Sequence, residues 1–323
     1  MTETEKIDRI DARILKELLI DGRKDFREIA SKSNVTQNVI WQHYTNLMKK
    51  GIIVGSTIQL NYKSLGYDGA ASFFIDVPPQ ELNETVQRIR KIPGLYDAYP
   101  CGPSRLWAVS DFMKTDQIDQ VKLLINRIPS VLRLQIEIWT DNRNIPENLS
   151  IFDEPSIPKE RTAKDANLPK SLDIDDIDWH MIEKLKENGR VSFKKIGGEL
   201  GISVSTVIRR YNALKSGGIL KSVIQLDPVK IGYFSEAYFR LKIDSKNDIV
   251  TISDEICKIQ DVTAVARTLG KYDLTVFVQV KSLEHFLNIG TRIANVNGIN
   301  EMDTPSLSQF HVFPNPSEHM STF

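Results

Sequence analysis

The chain contains almost no cysteine and no long apolar segment, and both absences exclude whole classes of protein. Cys101 and Cys257 are its only cysteines, too few for a disulfide framework or a cysteine-ligated zinc site. No apolar run approaches the ~18 residues that a membrane-spanning helix needs. The N-terminal Met-Thr-Glu-Thr-Glu-Lys is polar and acidic, unlike a secretory signal peptide. We therefore expect a cytoplasmic protein that does not enter a membrane.

Net charge is the third feature that the sequence lacks. Its 42 basic and 42 acidic residues cancel, which argues against a polycationic coat that binds nucleic acid nonspecifically. A local basic surface, which is what a DNA-reading protein needs, remains compatible with this balance. A length of 323 residues predicts about two domains, and a duplication within the chain allows up to four small ones.

What the sequence does contain is a duplication. The stretch Ile-Asp-Arg-Ile-Asp from Ile7 returns as Ile-Asp-Asp-Ile-Asp from Ile174. At a constant offset, further matches are Leu18 with Leu185, Gly22-Arg23 with Gly189-Arg190, Phe26 with Phe193, Ile29 with Ile196, Tyr44 with Tyr211, and Gly51-Ile52 with Gly218-Ile219. After a slip of one residue, Gly66-Tyr67 matches Gly232-Tyr233. Because the units of a solenoid are far shorter than half a chain, this is a duplicated module.

Each half begins with three short helical patterns and a β-rich segment. Thr36 and Ser203 are the predicted N-caps of the two third helices, which end at Gly51 and at Gly217-Gly218. The β-rich segments are Ile52 to Leu60 and Ile219 to Leu226. Three helices joined by tight turns and followed by a β-hairpin describe a winged helix-turn-helix.

The rest of each half changes period and predicts the order β-α-β-β-α-β of a ferredoxin-like domain. The predicted strands are Ala70 to Val77, Tyr96 to Pro100, Leu106 to Phe112 and Val131 to Trp139, then Ala237 to Ile243, Val262 to Leu269, Leu274 to Val280 and Ser306 to Phe313. The predicted helices are Gln80 to Lys91, Thr115 to Ile128, Asn247 to Ile259 and Ser282 to Ala294. A charged, proline-bearing stretch between the halves predicts a semi-rigid linker.

The predicted fold class is therefore α+β, with two winged helix-turn-helix domains, each followed by a ferredoxin-like βαββαβ domain. The predicted divisions are winged helices at 1–62 and 173–228, regulatory domains at 63–140 and 229–314, a linker at 141–172 and a tail at 315–323. The sequence assigns no role to the polar tail from His311 to Phe323.

The third helix of each half is the expected reader of the DNA major groove. In the second half this helix and the residues up to Lys221 contain no acid, whereas acidic residues collect on the first helix. We expect Ser203, Ser205, Thr206 and Arg209 nearest the bases, and Arg210 and Lys215 on phosphate. The alternative is that the adjacent arginines form a solvated helix face.

In the first half, the candidate readers are Thr36, Gln37, Asn38, Gln42 and His43. Glutamine and asparagine can pair with adenine, so sequence readout remains possible although the basic charge is weaker. Trp41 is either buried or exposed toward DNA, and burial is slightly favoured.

The second half resembles the Lrp/AsnC family of prokaryotic transcription regulators. The resemblance lies in Ile-Asp-Asp-Ile-Asp from Ile174, Asn-Gly-Arg from Asn188, Ile-Ser-Val-Ser-Thr-Val-Ile-Arg-Arg-Tyr from Ile202 and Gly-Gly-Ile-Leu from Gly217. It implies a winged helix-turn-helix joined to a ferredoxin-like (RAM-type) domain that dimerises and often binds amino acids. It covers nearly the whole chain once per half, apart from the linker, and is more diluted in the first half.

The resemblance also implies an effector loop at Gly270, Tyr272 and Asp273. There a glycine lets backbone amides approach a carboxylate, and an aspartate can hold an ammonium group. A tight β-hairpin uses the same residue types, and the two readings stay open. The loop of the first half, from Cys101 to Arg105, contains Pro103 and no aromatic-Asp pair, so we expect it to have lost such a site.

The expected partners are double-stranded DNA and, if an effector exists, a small molecule such as an amino acid. Pairing of the two regulatory domains within one chain would give a pseudo-dimer with two non-equivalent readers, suited to an asymmetric site. Further homo-oligomers stay open. We expect no cofactor and no metal.

Two alternatives to a transcription regulator remain. Siroheme decarboxylases resemble the same fold and are expected to use His and Arg in the regulatory-domain cleft, but none of the five histidines lies in a loop between the second and third regulatory strands. Because the sequence shows no nucleophile-base pair and no phosphate-binding loop, we expect that the protein is not an enzyme. The other alternative is a protein-interaction scaffold, which would suit the first half better than the second.

Overall fold

The computed structural model describes residues 4–95, 97–152, 174–303, 306–308 and 312–314. In the first half, the elements are α1 (Arg9–Ile20), α2 (Phe26–Ser33), α3 (Gln37–Lys49), β1 (Ile53–Leu60), β2 (Gly69–Asp76), α4 (Leu82–Ile89), β3 (Asp97–Pro100), β4 (Arg105–Phe112), α5 (Thr115–Asn126) and β5 (Arg133–Asn144). In the second half, they are α6 (Asp176–Glu187), α7 (Phe193–Leu200), α8 (Val204–Ser216), β6 (Leu220–Leu226), β7 (Ser235–Ile243), α9 (Ile249–Cys257), β8 (Val262–Leu269), β9 (Leu274–Val280), α10 (Leu283–Ala294), β10 (Ile299–Met302) and β11 (Ser306–Ser308).

The repeated aspartates at the start of each half are helix caps. The Asp8 carboxylate accepts hydrogen bonds from the backbone nitrogens of Ile10 and Asp11, both at 2.8 Å. Asp175 caps α6 in the same way, accepting from Asp178 N at 3.0 Å. An acidic side chain at this place satisfies backbone N–H groups that have no partner within the helix and complements the positive end of the helix dipole.

The strands β1 and β6 pair with each other across the two halves. Their antiparallel register runs from Ile53 opposite Leu226 to Leu60 opposite Leu220. The winged helix-turn-helix class is confirmed, but the prediction of a hairpin within each half is wrong, because each half contributes one strand to a shared two-stranded ribbon.

This ribbon completes the core of each helical module with a strand from the other half. Ile224 and Leu226 of β6 are buried in one cluster with Ile14, Leu15 and Leu18 of α1. Reciprocally, β1 places Ile58 and Leu60 in a cluster with residues of α6 and α8, namely Met181, Ile182, Leu185, Val207 and Tyr211. The two halves therefore share their cores.

The repeated Gly-Arg pairs lie where the halves meet. Arg23 donates to Gly189 O at 2.7 Å and to Val191 O at 2.5 Å, and its guanidinium lies 4.2 Å from the centre of the Phe193 ring. Arg190 reciprocates with a hydrogen bond to Gly22 O and with its guanidinium 5.2 Å from the Phe26 ring. These exchanged cation–π and backbone contacts join the two modules about a pseudo-twofold axis.

The regulatory domains form one continuous sheet in the order β10-β7-β9-β8-β5-β2-β4-β3, with β11 also on β7. Each half contributes four neighbouring positions in the ferredoxin-like order, and the halves join where β5 pairs antiparallel with β8. The interior of this assembly contains packed aromatic rings; the Trp107 centroid lies 5.1 Å from Tyr238 and 6.4 Å from Trp139. The intramolecular pairing of the two regulatory domains is thus part of the fold.

Both final strands differ from their predicted bounds. β5 runs past Trp139 to Asn144, because its last residues pair with β8. In the second half, β11 occupies Ser306–Ser308 of the predicted strand from Ser306 to Phe313, residues 309–311 lie outside the described part, and a separate β10 precedes it.

The first part of the predicted linker is packed. Asn148 is buried, and its amide nitrogen lies 2.8 Å from Ile259 O and 2.9 Å from Val262 O. Leu149 and Phe152 join the core of the first helical module. The prediction of a linker is therefore wrong for residues 141–152, and residues 153–173 lie outside the described part.

Of the predicted C-terminal tail, residues 315–323 lie outside the described part as well. Just before it, Phe313 is buried in the first module's core, and its backbone exchanges hydrogen bonds of 2.6 and 2.8 Å with Leu226. Within the residues that the structure describes, no helix has the length and apolarity to cross a membrane.

Candidate nucleic-acid interface

The helix α8 presents one face to its module and the opposite face to solvent. Ser203 caps it, accepting from Thr206 N at 3.1 Å. The buried residues are Val207, Tyr211 and Leu214, which recur at helical spacing. The outward residues are Val204, Ser205, Ile208, Arg209 and Asn212. The predicted reader is therefore an exposed helix on a firmly packed base.

The two adjacent arginines of α8 have different surroundings. Arg209 is exposed and makes no ion pair with any residue that the structure describes. Arg210 is half-buried; its Nη2 lies 2.8 Å from Asp175 Oδ2 and its Nη1 lies 3.0 Å from Asp178 Oδ1. Hydrogen bonds to Asp175 and Asp178 raise the pKa of Arg210. Arg210 thus ties α8 to the start of α6, in contrast to the phosphate contact predicted for it from the sequence.

The remaining predicted DNA-contacting residues of the second half also divide into exposed side chains and side chains that make contacts within the protein. Ser205 is exposed, and Thr206 is half-buried. The hydroxyl of Ser203 is engaged in capping and lies 2.8 Å from both the Ser205 and Thr206 hydroxyls. Lys215 Nζ lies 2.7 Å from Asp21 Oδ2, a residue at the end of α1 in the other half. Lys215 therefore contacts the first module in this structure.

In the first half, Thr36 caps α3 and Gln37, Asn38 and Gln42 are exposed on its outward side. Trp41 lies on the same side with 55% of its surface exposed, so the preference for burial is wrong. Trp41 lies one position beyond the buried stripe that includes Ile40 and Tyr44, and its ring centroid lies 6.0 Å from that of Phe26 and 6.2 Å from that of Tyr44.

His43 is turned away from the outward face of α3. Its Nδ1 lies 2.8 Å from Asp11 Oδ1 and 3.8 Å from Asp8 Oδ2. In the duplicated sequence His43 corresponds to Arg210, and its two carboxylate partners correspond to Asp175 and Asp178. The same connection between the first and third helices is made in both halves, with a different basic side chain.

Several outward residues were missed by the sequence analysis. Val204 and Ile208 are 41% and 40% exposed, and apolar side chains in the major groove contact the thymine methyl group. Lys194 and Lys195 are exposed on α7, and among the described residues neither is found in an ion pair. Helical spacing from the buried stripe of α8 was the signal that could have identified Val204 and Ile208.

The predicted effector loop is a hairpin between β8 and β9. Gly270 has a φ of +154°, and a Cβ there would lie 3.3 Å from Glu137 Cγ, so the loop lies against β5. Tyr272 is buried. The Asp273 carboxylate accepts from Lys242 Nζ at 3.0 Å and from Ile243 N at 2.8 Å. The structure thus gives each of these three residues a contact within the fold.

Behind this loop lies a buried ion cluster that joins the halves. Arg240 is 5% exposed and reaches Glu137 Oε1 at 3.3 Å and the Asp303 carboxylate. Its guanidinium lies 4.3 Å from the Phe74 ring and 4.9 Å from the Tyr272 ring. Burial raises the pKa of Glu137, partly opposed by Arg240. The cluster thus connects Arg240 of the second half to Glu137 and Phe74 of the first half.

Three family profiles match the chain. The AsnC-type helix-turn-helix domain matches residues 174–215, and the winged helix-turn-helix DNA-binding domain matches residues 7–54. The Lrp/AsnC ligand binding domain matches residues 236–308.

Individual proteins are similar to parts or to the whole of the chain. HTH-type transcriptional regulator FL11 of Pyrococcus furiosus is 25% identical over 139 residues, which cover 43% of this chain and 91% of that protein. HTH-type transcriptional regulator Ptr1 of Methanocaldococcus jannaschii is 30% identical over 93 residues, 29% of this chain and 63% of that protein.

Among solved structures, the siroheme decarboxylase NirDL covers 96% of this chain and 96% of its own, with a TM-score of 0.63 and 15% identity. At that identity the similarity shows a common fold over both halves and nothing about chemistry. The AsnC-type helix-turn-helix and Lrp/AsnC ligand binding matches show that the second half belongs to the Lrp/AsnC family, and the first half repeats the same modules with a winged helix-turn-helix match.

Proposed function

We propose that this protein is a sequence-specific, double-stranded DNA-binding transcription regulator, with α8 of the second half as its main reader. The observation that carries the proposal is the exposure of Arg209 on the outward face of α8, without an acidic partner among the described residues. An exposed arginine on a reading helix can form paired hydrogen bonds with guanine O6 and N7. The neighbouring Arg210 is held by two aspartates and supports the helix instead.

The outward faces of α3 and α8 carry different residues, which supports recognition of an asymmetric DNA site. At the position of Arg209, α3 carries Gln42, and at the position of Ile208 it carries the exposed Trp41. Glutamine pairs best with adenine and arginine with guanine. A pseudo-dimer with these two faces would prefer two unlike half-sites over a palindrome.

The test is a selection of bound sequences from random duplex DNA with the wild-type chain, Arg209→Ala and Arg210→Ala in parallel. We expect a defined motif for the wild type, its loss or a weakening of about 5- to 150-fold for Arg209→Ala, and the same motif for Arg210→Ala. Thermal melting of each variant separates loss of a DNA contact from loss of the fold.

Two results would contradict this proposal. If the folded wild-type chain enriches no sequence, the scaffold alternative or an enzyme on the fold of NirDL becomes the better reading. If the motif survives Arg209→Ala unchanged, the reader lies elsewhere, and the exposed residues of α3 are the next candidates.

We further propose that a small effector such as an amino acid acts at the second half, at Gly270, Tyr272 and Asp273. The Asp273 carboxylate already holds the Lys242 ammonium group at 3.0 Å, so the site suits a ligand ammonium that replaces Lys242. Repeating the binding assay with each free amino acid tests this, since only a ligand with different affinities for the free and DNA-bound states shifts binding. An effect that persists in Asp273→Asn would place the effector elsewhere.

A further inference from the structure

Three ligand-type side chains meet at the junction of α1 and α3. Asp8, Asp11 and His43 each direct one oxygen or nitrogen atom to the same point, with all three atoms within 4.8 Å of one another. Asp8 is the N-cap of α1, Asp11 lies three residues later, and His43 comes from the predicted reading helix. Because 32 residues separate Asp11 from His43, only the tertiary fold brings them together.

The second half shows what this pair of carboxylates does when a cation is present. Asp175 and Asp178 occupy the equivalent places, and both bind the guanidinium of Arg210, at 2.8 and 3.0 Å. The inner carboxylate is buried to the same degree in both halves, with Asp11 at 7% and Asp178 at 8% exposure. The first half keeps the two carboxylates but replaces the permanently charged arginine with a histidine.

We propose that Asp8, Asp11 and His43 form a binding site for a divalent transition-metal ion, which takes the place that the Arg210 guanidinium fills in the second half. Imidazole nitrogen and carboxylate oxygen are ligands that such ions as Zn²⁺ and Co²⁺ accept, in contrast to Mg²⁺, which prefers oxygen alone. A metal ion at this place would also compensate the negative charge of an ionised carboxylate at the buried Asp11.

The geometry requires little adjustment. Two ligand atoms bound to a tetrahedral ion at about 2.1 Å lie about 3.4 Å apart. The observed distances from His43 Nδ1 are 2.8 Å to Asp11 and 3.8 Å to Asp8, on either side of that value. The Asp8 oxygen that caps α1 is Oδ1, which leaves Oδ2 for the ion.

The solvent side of this site is open. The Asp8 side chain is 55% exposed, so an ion can enter there, and water can complete its coordination. An ion bound at this place would hold α3 against α1 and so fix the orientation of the first reading helix. Metal binding should therefore act on the position of α3 in the first module. It should not act on α8 in the second module, where the Arg210 guanidinium already occupies the equivalent place.

The test uses the full chain without a polyhistidine tag, stripped of metal and titrated with Co²⁺ and Zn²⁺. Calorimetry measures the stoichiometry, and the visible absorption of Co²⁺ reports its ligands. We expect one ion per chain in the wild type. His43→Arg, which copies the second half, should weaken binding at least about 100-fold and keep the fold. Asp8→Asn should weaken metal binding by about 10- to 100-fold because it removes a charged ligand. It should keep the fold, since asparagine still caps the helix.

Each outcome decides the proposal. Saturable binding that both variants weaken supports it. No binding to the folded wild-type chain overturns it. Binding of equal strength in the wild type, His43→Arg and Asp8→Asn also overturns it, because the ion must then lie elsewhere. None of these results depends on DNA binding.

Discussion

At the scale of single residues, equivalent positions of α3 and α8 carry side chains of different chemistry on the same helical fold. Arg209 faces outward where the first half has Gln42, and Arg210 faces two aspartates where the first half has His43. Under the proposed function, a change at the outward position should alter the bases that are recognised, whereas a change at the inward position should alter how the helix is held against its module. The two positions are adjacent in sequence but have opposite surroundings.

A second residue of interest is Asp111, whose carboxyl group is buried. Neither of its side-chain oxygens accepts a hydrogen bond from the described part of the chain. Burial raises the pKa of Asp111 to about 9, and the nearby Lys186 opposes this only in part. The folded protein therefore keeps a proton on Asp111 at neutral pH, whereas the unfolded chain releases it.

This difference predicts the direction of a pH effect. Between the ordinary carboxyl pKa of about 4 and the folded value, the folded state binds more protons, so stability falls as pH rises. Asp111→Asn keeps the shape and removes the titration. We expect the variant and the wild type to melt at similar temperatures at about pH 4.5, and the variant to melt higher at about pH 8.5. An advantage of the same size at both pH values would refute this assignment.

At the scale of elements, the turn between α6 and α7 explains why glycine recurs in the Gly-Arg pair. A Cβ at Gly189 would lie 2.2 Å from Thr57 O, which belongs to β1 of the other half. Gly22 has a similar place, where a Cβ would lie 2.8 Å from Val223 N of β6. Because both neighbours are backbone atoms of a hydrogen-bonded strand, neither can move aside easily.

Gly189→Ala should therefore push the turn away from β1 and lower the free energy of unfolding by about 1–3 kcal/mol, as overpacking does elsewhere. Gly198→Ala on the exposed side of α7 is the matched control, since a Cβ there meets nothing within 4 Å. The control should be neutral or more stable by up to about 1 kcal/mol, because alanine favours a helix. Chemical denaturation measures both, and equal effects would show that the close approach is unimportant.

Most elements could be predicted from sequence because their signals are local. The caps Thr36 and Ser203 and the buried stripe of α8 follow from residue type and helical spacing. The partner of β1 could not be predicted in this way. An alternating apolar strand indicates that it lies in a sheet, but pairing within a half and pairing between halves satisfy the same pattern.

At the scale of the whole molecule, each helical module depends on a strand from the other half. Leu226 of β6 is fully buried in the first module's core, and Ile58 of β1 is fully buried in the second's. The chain is therefore a pseudo-dimer whose halves are folded into each other. The packed residues 145–152 add a further covalent and apolar connection.

Because β1 and β6 each lie in the core of the other half's module, a core mutation in either strand should destabilise the opposite module. Leu226→Ala should destabilise by about 2–5 kcal/mol and reduce amide-exchange protection first in α1 and α3. Ile58→Ala is the reciprocal control and should reduce protection first in α6 and α8. Hydrogen exchange followed by mass spectrometry distinguishes the two patterns. If each mutation weakens only the module of its own half, the shared cores do not exist in solution.

The sequence by itself determined the duplication, the order of helices and strands, and the family, because all of these depend on residue type at short spacing. Tertiary structure decided which groups meet across long separations. Arg210 could have pointed to phosphate, but the fold brings Asp175 and Asp178 to it; His43 could have read a base, but the fold places it on Asp8 and Asp11. Contacts of this kind depend on how two helices cross, which local spacing does not encode.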